Sequence, residues 1–385
     1  MSLHISALEP PYLYCPRCNN DQPLTLFAKT CSRCGSVLLV GYDYVGIAEE
    51  IDNLAEENAS VGPWKYSKLL PPLTGSRISL GEGGTFLQRS SRLAEMLGVR
   101  SLYLKNESTN PTGSFIDRGV ALEVSEAIAS RIREVQCMPT GNLGASLAAY
   151  AARAGIECTI GIAYNINPGK LLQMIAYDAH LRIGEIAPSR DPRCLWVTPV
   201  DPYILEGEKT VVFEVWEQLR YMSNFHIIAP MGTGGLVTML WKGMKELVNI
   251  GKAEKDACKL VGVQASGCAP IVDAFKRGTT VMAAKEVETL AIDLKVPHPP
   301  LGDLAIEAIR STKGSAIAVT DGEILEAARL LAKTEGIFAE PVSASTVAAL
   351  KRMLETKEID RQDQVICIIT GAGLKDPSAT LRLLE

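Results

Sequence analysis

The sequence predicts an α/β fold of two lobes, each on a mainly parallel sheet, preceded by a small cysteine-bearing ribbon. Three observations carry this: short apolar runs alternate with amphipathic stretches, Gly/Ser/Thr/Asn-rich junctions follow several of the runs, and two close cysteine pairs precede them all. At 385 residues the chain has room for about two to three domains. Its 47% hydrophobic and 22% charged residues exclude a disordered, collagen-like or solenoid chain. The net charge of −5 lacks the basic excess that binding a phosphate backbone demands, so a nucleic-acid partner is not expected. No run approaches the ~20 apolar residues of a membrane span, and the start at Met1 lacks the basic and apolar regions of a signal peptide. A soluble, cytoplasmic, enzyme-sized protein without a membrane partner is therefore expected.

The first element is the ribbon. Cys15 and Cys18 flank Pro16-Arg17, and Cys31 and Cys34 flank Ser32-Arg33. Each pair can aim two thiolates at one tetrahedral ion, with Leu24 to Phe27 expected as a short hairpin strand that brings the pairs together. A structural zinc site on Cys15, Cys18, Cys31 and Cys34 is the reading; two disulfides or a ribbon that has lost its metal are the alternatives. Four protein ligands leave no position for a reacting water, so the metal is not expected to be catalytic. The other six cysteines fall mostly in apolar runs and read as small buried hydrophobes.

An irregular arm, 46–90, follows the ribbon (1–45); a first, smaller lobe is expected over 91–210 and a second, larger one over 211–385, with contributions from the arm. Strands are expected at 101–105, 135–138, 158–163, 226–229, 260–263 and 365–369. Apolar spacing predicts helices over 117–129, 144–154, 211–222, 236–248, 321–334 and 343–354.

Four strand-to-helix junctions are chemically rich, and such junctions bind ligands because loops converge at strand ends and helix N-termini offer free N–H groups. Gly232-Thr233-Gly234-Gly235-Leu236 lets backbone N–H groups approach a phosphate closely. Thr140-Gly141-Asn142 offers N–H groups and an amide, or is simply an N-cap. Thr370-Gly371-Ala372-Gly373 presents a hydroxyl at the end of the most apolar strand. At Asn110 to Gly119, Ser114 reads as an N-cap and Asp117 as its capping-box partner.

Asn-Pro-Thr-Gly-Ser-Phe-Ile-Asp-Arg-Gly (110–119), Thr-Gly-Asn (140–142), Glu-Gly-Glu-Lys-Thr (206–210), Gly-Thr-Gly-Gly (232–235) and Thr-Gly-Ala-Gly-Leu-Lys-Asp (370–376) together resemble the threonine synthases. These are pyridoxal-phosphate enzymes of the tryptophan-synthase-β, or type II, fold. The resemblance implies that the cofactor phosphate rests on Gly232, Thr233, Gly234, Gly235 and Leu236, with Asn142 at the ring hydroxyl and Thr370 at the ring nitrogen. It further implies a small phosphorylated substrate, O-phosphohomoserine, held by Thr140, Gly141 and Thr85. A cation is needed for its phosphate, and Arg118, Arg153 and Lys209 are the candidates. The implied reaction is loss of phosphate from the γ carbon followed by hydration at the β carbon, in a homodimer.

One position departs from the motif. The family reads Ser-Phe-Lys-Asp-Arg-Gly, its lysine forming the Schiff base and moving protons, whereas this chain has Ile116. The cofactor, if bound, is then held non-covalently, and activity is expected to be impaired. Lys105, Lys209 and Lys375 are disfavoured as surrogates, because each has a position and task of its own. Ile116 is an engineered, cloning or sequencing change in a threonine synthase, or marks a non-catalytic paralogue that binds the cofactor or a phospho-amino acid, or accompanies a different reaction on the same fold. A serine/threonine dehydratase-like lyase is the further alternative. Phe86, where the family has proline, shows that some natural divergence is present.

Overall fold

The computed structural model describes residues 8–50, 62–138, 141–220 and 224–382. The ribbon is a three-stranded antiparallel sheet of β1 (Tyr12–Tyr14), β2 (Asp21–Pro23) and β3 (Leu39–Gly41), with β1 central. Residues 24–27, expected as a strand, lie in a turn: Ala28 N–H donates to the Thr25 carbonyl (3.2 Å) and Phe27 N–H to the Thr25 hydroxyl (3.4 Å). Local bonds of that kind satisfy the backbone without a partner strand. Helix α1 (Tyr44–Glu50) and a 3-10 turn, Pro63–Leu69, lead through the arm to β4 (Leu87–Arg89), α2 (Arg92–Leu97) and β5 (Ser101–Asn106).

The chain then builds the smaller lobe: α3 (Asp117–Ala129), β6 (Glu134–Cys137), α4 (Gly141–Ala154), β7 (Glu157–Ile162), α5 (Pro168–Ala176), β8 (His180–Ile183) and β9 (Cys194–Val197). Its four strands pair in parallel in the order β8-β7-β6-β9. Helix α6 (Pro202–Gln218) returns to the larger lobe, built from β10 (Phe225–Pro230), α7 (Gly235–Asn249), β11 (Cys258–Ala265), α8 (Pro270–Arg277), α9 (Gly302–Ser311), β12 (Ser315–Val319), α10 (Asp321–Glu335), α11 (Pro341–Glu355), β13 (Gln364–Ile369) and α12 (Pro377–Leu381). The large sheet runs β12-β11-β10-β13-β5-β4, parallel except for β4, which is antiparallel to β5.

Two further expectations need correction. The lobe boundary at 91 misplaces β5, which pairs with β13 along its whole length in the large sheet, so the chain enters the larger lobe, leaves it, and comes back. The helix expected from 211 begins at Pro202, with proline in the first turn, where its missing N–H costs nothing. Its leading turns carry Glu206, Glu208 and Lys209, all buried, which defeats an apolar periodicity.

Helix α6 is also the element on which the two lobes meet. Tyr203 and Ile204 pack into the core of the smaller lobe, and Val211, Val212, Phe213 and Val215 into that of the larger. Its backbone touches α3 at two glycines: a Cβ on Gly119 would lie 2.3 Å from the Ile204 carbonyl oxygen, and one on Gly207 2.3 Å from that of Arg118. No other residue fits there without separating the helices. Among the described residues, no helix is long and apolar enough to cross a membrane.

Candidate active site

The segment 112–119 is clasped to the last large-sheet junction. Phe115 N–H donates to the Thr370 carbonyl (3.0 Å), Ala372 N–H to the Gly113 carbonyl (2.9 Å) and Lys375 Nζ to the Thr112 carbonyl (2.7 Å). Ile116 itself is the N-cap of α3, so the capping box expected on Ser114 does not form. Asp117 instead accepts from Thr112 N–H (2.7 Å) and from the hydroxyls of Thr112 and Ser146 (2.6 Å each), bonds that tie α3 to α4. Ile116 is 5% exposed and packs into the smaller lobe's core.

Between the lobes, where strand ends converge, lies a cavity of about 330 Å³. It brings together Ile116, Gly141, Asn142, Gly232, Thr233, Gly235, Leu236 and Thr370 from the sequence-predicted set. Gly234 caps α7 in a left-handed conformation (φ 86°) and sets the turn without lining the space. Thr233 Oγ1 accepts from Gly235 N–H (3.1 Å), while the N–H groups of Gly232, Thr233, Gly234 and Leu236 meet no backbone acceptor among the described residues. These donors stand at the N-terminus of the 15-residue α7, an arrangement suited to a phosphate. Thr370, at the end of β13, shares its hydroxyl with Ser343 (2.9 Å). The Asn142 amide donates to Asp293 (3.0 Å) and Glu340 (3.1 Å), and its Oδ1 is buried without a partner. An orphaned acceptor of that kind calls for a donor such as a ring hydroxyl. Three loops from distant segments thus bring free N–H donors, an unpartnered amide oxygen and a hydroxyl to one cavity, with the aliphatic Ile116 in its wall.

Other expected residues stand elsewhere. Thr140 lies outside the described residues. Thr85 is buried, donating to Glu107 (2.6 Å), and Arg153 is exposed on the last turn of α4. Arg118 is wholly buried, bonded to Glu107 (2.7 and 2.8 Å) and to Glu214 (2.7 Å from each of its terminal nitrogens). Lys209 is bound by Glu206, Glu246 (2.7 Å) and the Leu69 carbonyl (2.7 Å). Neither cation reaches the cavity, because each neutralises buried carboxylates that would otherwise be stranded. Lys105, bonded to Glu214 (2.7 Å), and Lys375, bonded to Gln173 (2.9 Å), are likewise absent from its walls.

Four charged lining residues carry no signal in the sequence: Glu208, Asp293, Lys295 and Glu340. Asp293 pairs with Lys170 (2.5 Å). Burial pushes the Glu340 carboxyl up to about 7, against the opposing pull of Lys170. Burial alone raises Glu208 well above the usual carboxylate range, since no cation faces it. Lys295 is exposed and lines the cavity from the far side of the Ile292–Leu294 turn. Lys295 and Asp293 sit on a turn with no glycine-rich signature, and Glu208 lies inside a motif; position in the sequence gave no sign that they face the cavity.

The four ribbon cysteines converge, their sulfurs all within 4.8 Å of one another, with Cys15–Cys34 at 3.5 Å and Cys18–Cys31 at 3.6 Å. Those separations exceed the ~2.05 Å of a disulfide and approach the ~3.8 Å edge of a tetrahedron with zinc–sulfur bonds of ~2.3 Å. Lys29, between the knuckles, reaches Glu123 of α3 (2.5 Å) and Asp201 (2.6 Å), so the ribbon is anchored where α6 begins.

A family profile for pyridoxal-phosphate-dependent enzymes matches residues 78–371. A threonine synthase of Methanocaldococcus jannaschii is 39% identical over 96% of this chain and 94% of its own length. A threonine synthase of Mycobacterium leprae is 38% identical over 79% of this chain and 85% of its own. Maize serine racemase superposes with a TM-score of 0.65 at 22% identity, over 78% of this chain and 91% of that one, a likeness of fold alone.

Proposed function

The chain belongs to the family of pyridoxal-phosphate-dependent enzymes, among its threonine synthases, and from that we propose a threonine synthase disabled at one residue, Ile116. One observation carries the reading. The glycine loop before α7, Asn142 and Thr370 come from three segments to line a single cavity, with Ile116 in its wall.

The residues fit the cofactor as a non-covalent ligand. The N–H groups from Gly232 to Leu236 would take its phosphate, Asn142 Oδ1 would accept from its ring hydroxyl, and Thr370 would face its ring nitrogen. When bound, the cofactor supplies the electron sink for losing phosphate from the γ carbon of O-phosphohomoserine and adding water at the β carbon. A hydroxyl at the ring nitrogen, already shared with Ser343, brings no charge and leaves that sink weak. The substrate carboxylate would rest on the loop at Gly141. Its phosphate would meet Lys295, which stands on the cavity wall, rather than Arg118, Arg153 or Lys209. Ile116 can neither hold the cofactor nor carry a proton, and losing a positioned acid–base group lowers a rate by roughly 10²–10⁴-fold. With the reading go a structural zinc on Cys15, Cys18, Cys31 and Cys34, a cytoplasmic location and a homodimer.

Ile116→Lys, purified with pyridoxal phosphate, is expected to release phosphate from O-phosphohomoserine. Turnover of serine or threonine instead would move the chain to the dehydratases. Ligand binding without turnover in Ile116→Lys would favour the second reading, a non-catalytic binding protein, which the buried aliphatic residue at 116 itself supports. Metal analysis of the purified chain, expected at one zinc per chain, tests the ribbon.

A further inference from the structure

Helix α6 delivers one acid to the cavity and gives it no counter-ion. Glu208 lines the cavity and is 3% exposed, and its side chain makes no hydrogen bond or ion pair with any described residue. Its place is fixed from two sides. The adjacent Gly207 lies against the backbone of Arg118 and Gly119, next to Ile116, and Glu208 Oε2 stands 3.6 Å from where a Cβ on Gly235 would be, beside the anion-binding loop. Glu208 therefore borders the anion cradle and shares its cavity with Ile116.

The charged groups around it are engaged elsewhere. On its own helix Glu206 and Lys209 pair with each other, and on α7 Lys242 and Glu246 pair together (2.5 Å). On α3 Arg118 is taken by Glu107 and Glu214, and Asp117 by three hydrogen bonds. Across the cavity Asp293 is held by Lys170, and Glu340 by Asn142 with Lys170 at 3.8 Å. Lys295 is exposed. An uncompensated buried carboxyl is costly in its charged form and gains most from a ligand that brings a cation. The family's lysine would supply a nitrogen to this cavity, and Ile116 does not.

We infer that the cavity of this chain selects an amine-bearing pyridoxyl phosphate, such as pyridoxamine 5′-phosphate, with Glu208 as the partner of its ammonium. The inference rests on the cofactor reading above and adds the form of the ligand and the residue that recognises it. The glycine loop takes the phosphate, and Glu208 gives its proton to solvent as the ammonium arrives, so that carboxylate and ammonium neutralise each other.

The test compares pyridoxamine 5′-phosphate with pyridoxine 5′-phosphate by isothermal titration on the chain as it stands. The two share ring and phosphate and differ in an amine against a hydroxyl, and neither condenses with lysines. The amine is expected to bind about ten-fold more tightly or better, the range of a charge-assisted hydrogen bond. Glu208→Gln, nearly isosteric and checked by its melting curve, is expected to weaken the amine alone and bring the two ligands to within about two-fold. Ile116→Lys, which brings its own ammonium, is expected to abolish the preference as well. Equal affinities in the unmodified chain, or a preference that survives Glu208→Gln, overturn the inference and leave the cofactor reading standing. Binding of neither ligand overturns the cofactor reading and the inference with it.

Discussion

Helix α6 carries buried glutamates of two kinds, and their difference separates scaffold from site. Glu206 and Glu214 face into the protein: Glu206 meets Lys209 of its own helix and Lys242 of α7 (2.8 Å) and accepts from the Tyr42 hydroxyl (2.7 Å), and Glu214 meets Lys105 of β5 and Arg118 of α3. Burial would raise both carboxyls, but the cations beside them hold both below the usual range. Glu208, on the same helix, faces the cavity without a cation and is raised. The first kind is satisfied by the protein and holds the lobes together. The second waits for a ligand, and an unsatisfied buried acid marks a site better than a buried charge does.

Residue 116 gives the largest way to sharpen that contrast. Ile116→Lys puts a nitrogen into the cavity and should raise phosphate release from O-phosphohomoserine by roughly 10²–10⁴-fold over the chain as it stands. A rise below ten-fold would mean the defect lies beyond the missing lysine. Next in size is Arg118→Met, which strands Glu107 and leaves Glu214 to Lys105 alone. Breaking a buried ion pair costs about 3–5 kcal/mol, to be read from urea unfolding. A loss under 1 kcal/mol would show that this network is not what holds α3 to α6, and the contrast between scaffold and site would fail.

The same contrast explains what could be read from the sequence. The Gly-Thr-Gly-Gly loop, Asn142 and Thr370 were legible because strand-to-helix junctions need small and polar residues whatever the tertiary context. Strands such as β13 were legible because a strand covered on both faces reads as a continuous apolar run. The tasks of Arg118 and Lys209 were not legible. A cation within a binding motif looks available until its carboxylate partners are known, and Glu214 and Glu246 are remote in sequence. The start of α6 was hidden for the same reason, its charged residues being buried by partners from elsewhere. Glu208 sits inside the Glu-Gly-Glu-Lys-Thr run, but nothing in that run tells a cavity-facing acid from a paired one; only the cavity singles it out.

Acidity should act on the two kinds of glutamate with opposite sign. Glu340 behaves like Glu208: its carboxyl lies near 7 in the folded chain, above the ~4.3 of an unfolded glutamate. Between those values the folded state holds the extra proton, so this group's share of stability is present at low pH and declines as pH rises toward 7. Glu107 and Glu214, held low by Arg118, contribute stability above the usual carboxylate range and lose it as pH falls. Glu340→Gln should therefore flatten unfolding free energy between about pH 4.5 and 7 and leave the acid limb unchanged. An altered acid limb with an unchanged upper slope would place the titration on other groups.

The smallest effect asks whether the scaffold glutamates are satisfied with redundancy. Tyr42, at the end of the ribbon, gives Glu206 its hydroxyl, while Lys209 and Lys242 bind the same carboxylate. Tyr42→Phe removes one donor and leaves the charge paired on both sides, so the loss should be about 1 kcal/mol, the ordinary net value of one hydrogen bond rather than that of a stranded charge. Urea unfolding reads that loss. Titration with pyridoxamine 5′-phosphate reads the other half, because Glu206 and Glu208 point to different neighbours from one helix, and ligand affinity should stay within about two-fold. A loss near that of Arg118→Met, or a weakened ligand, would mean that the ribbon holds α6 in register through this one hydroxyl, and that scaffold and cavity are coupled along the helix.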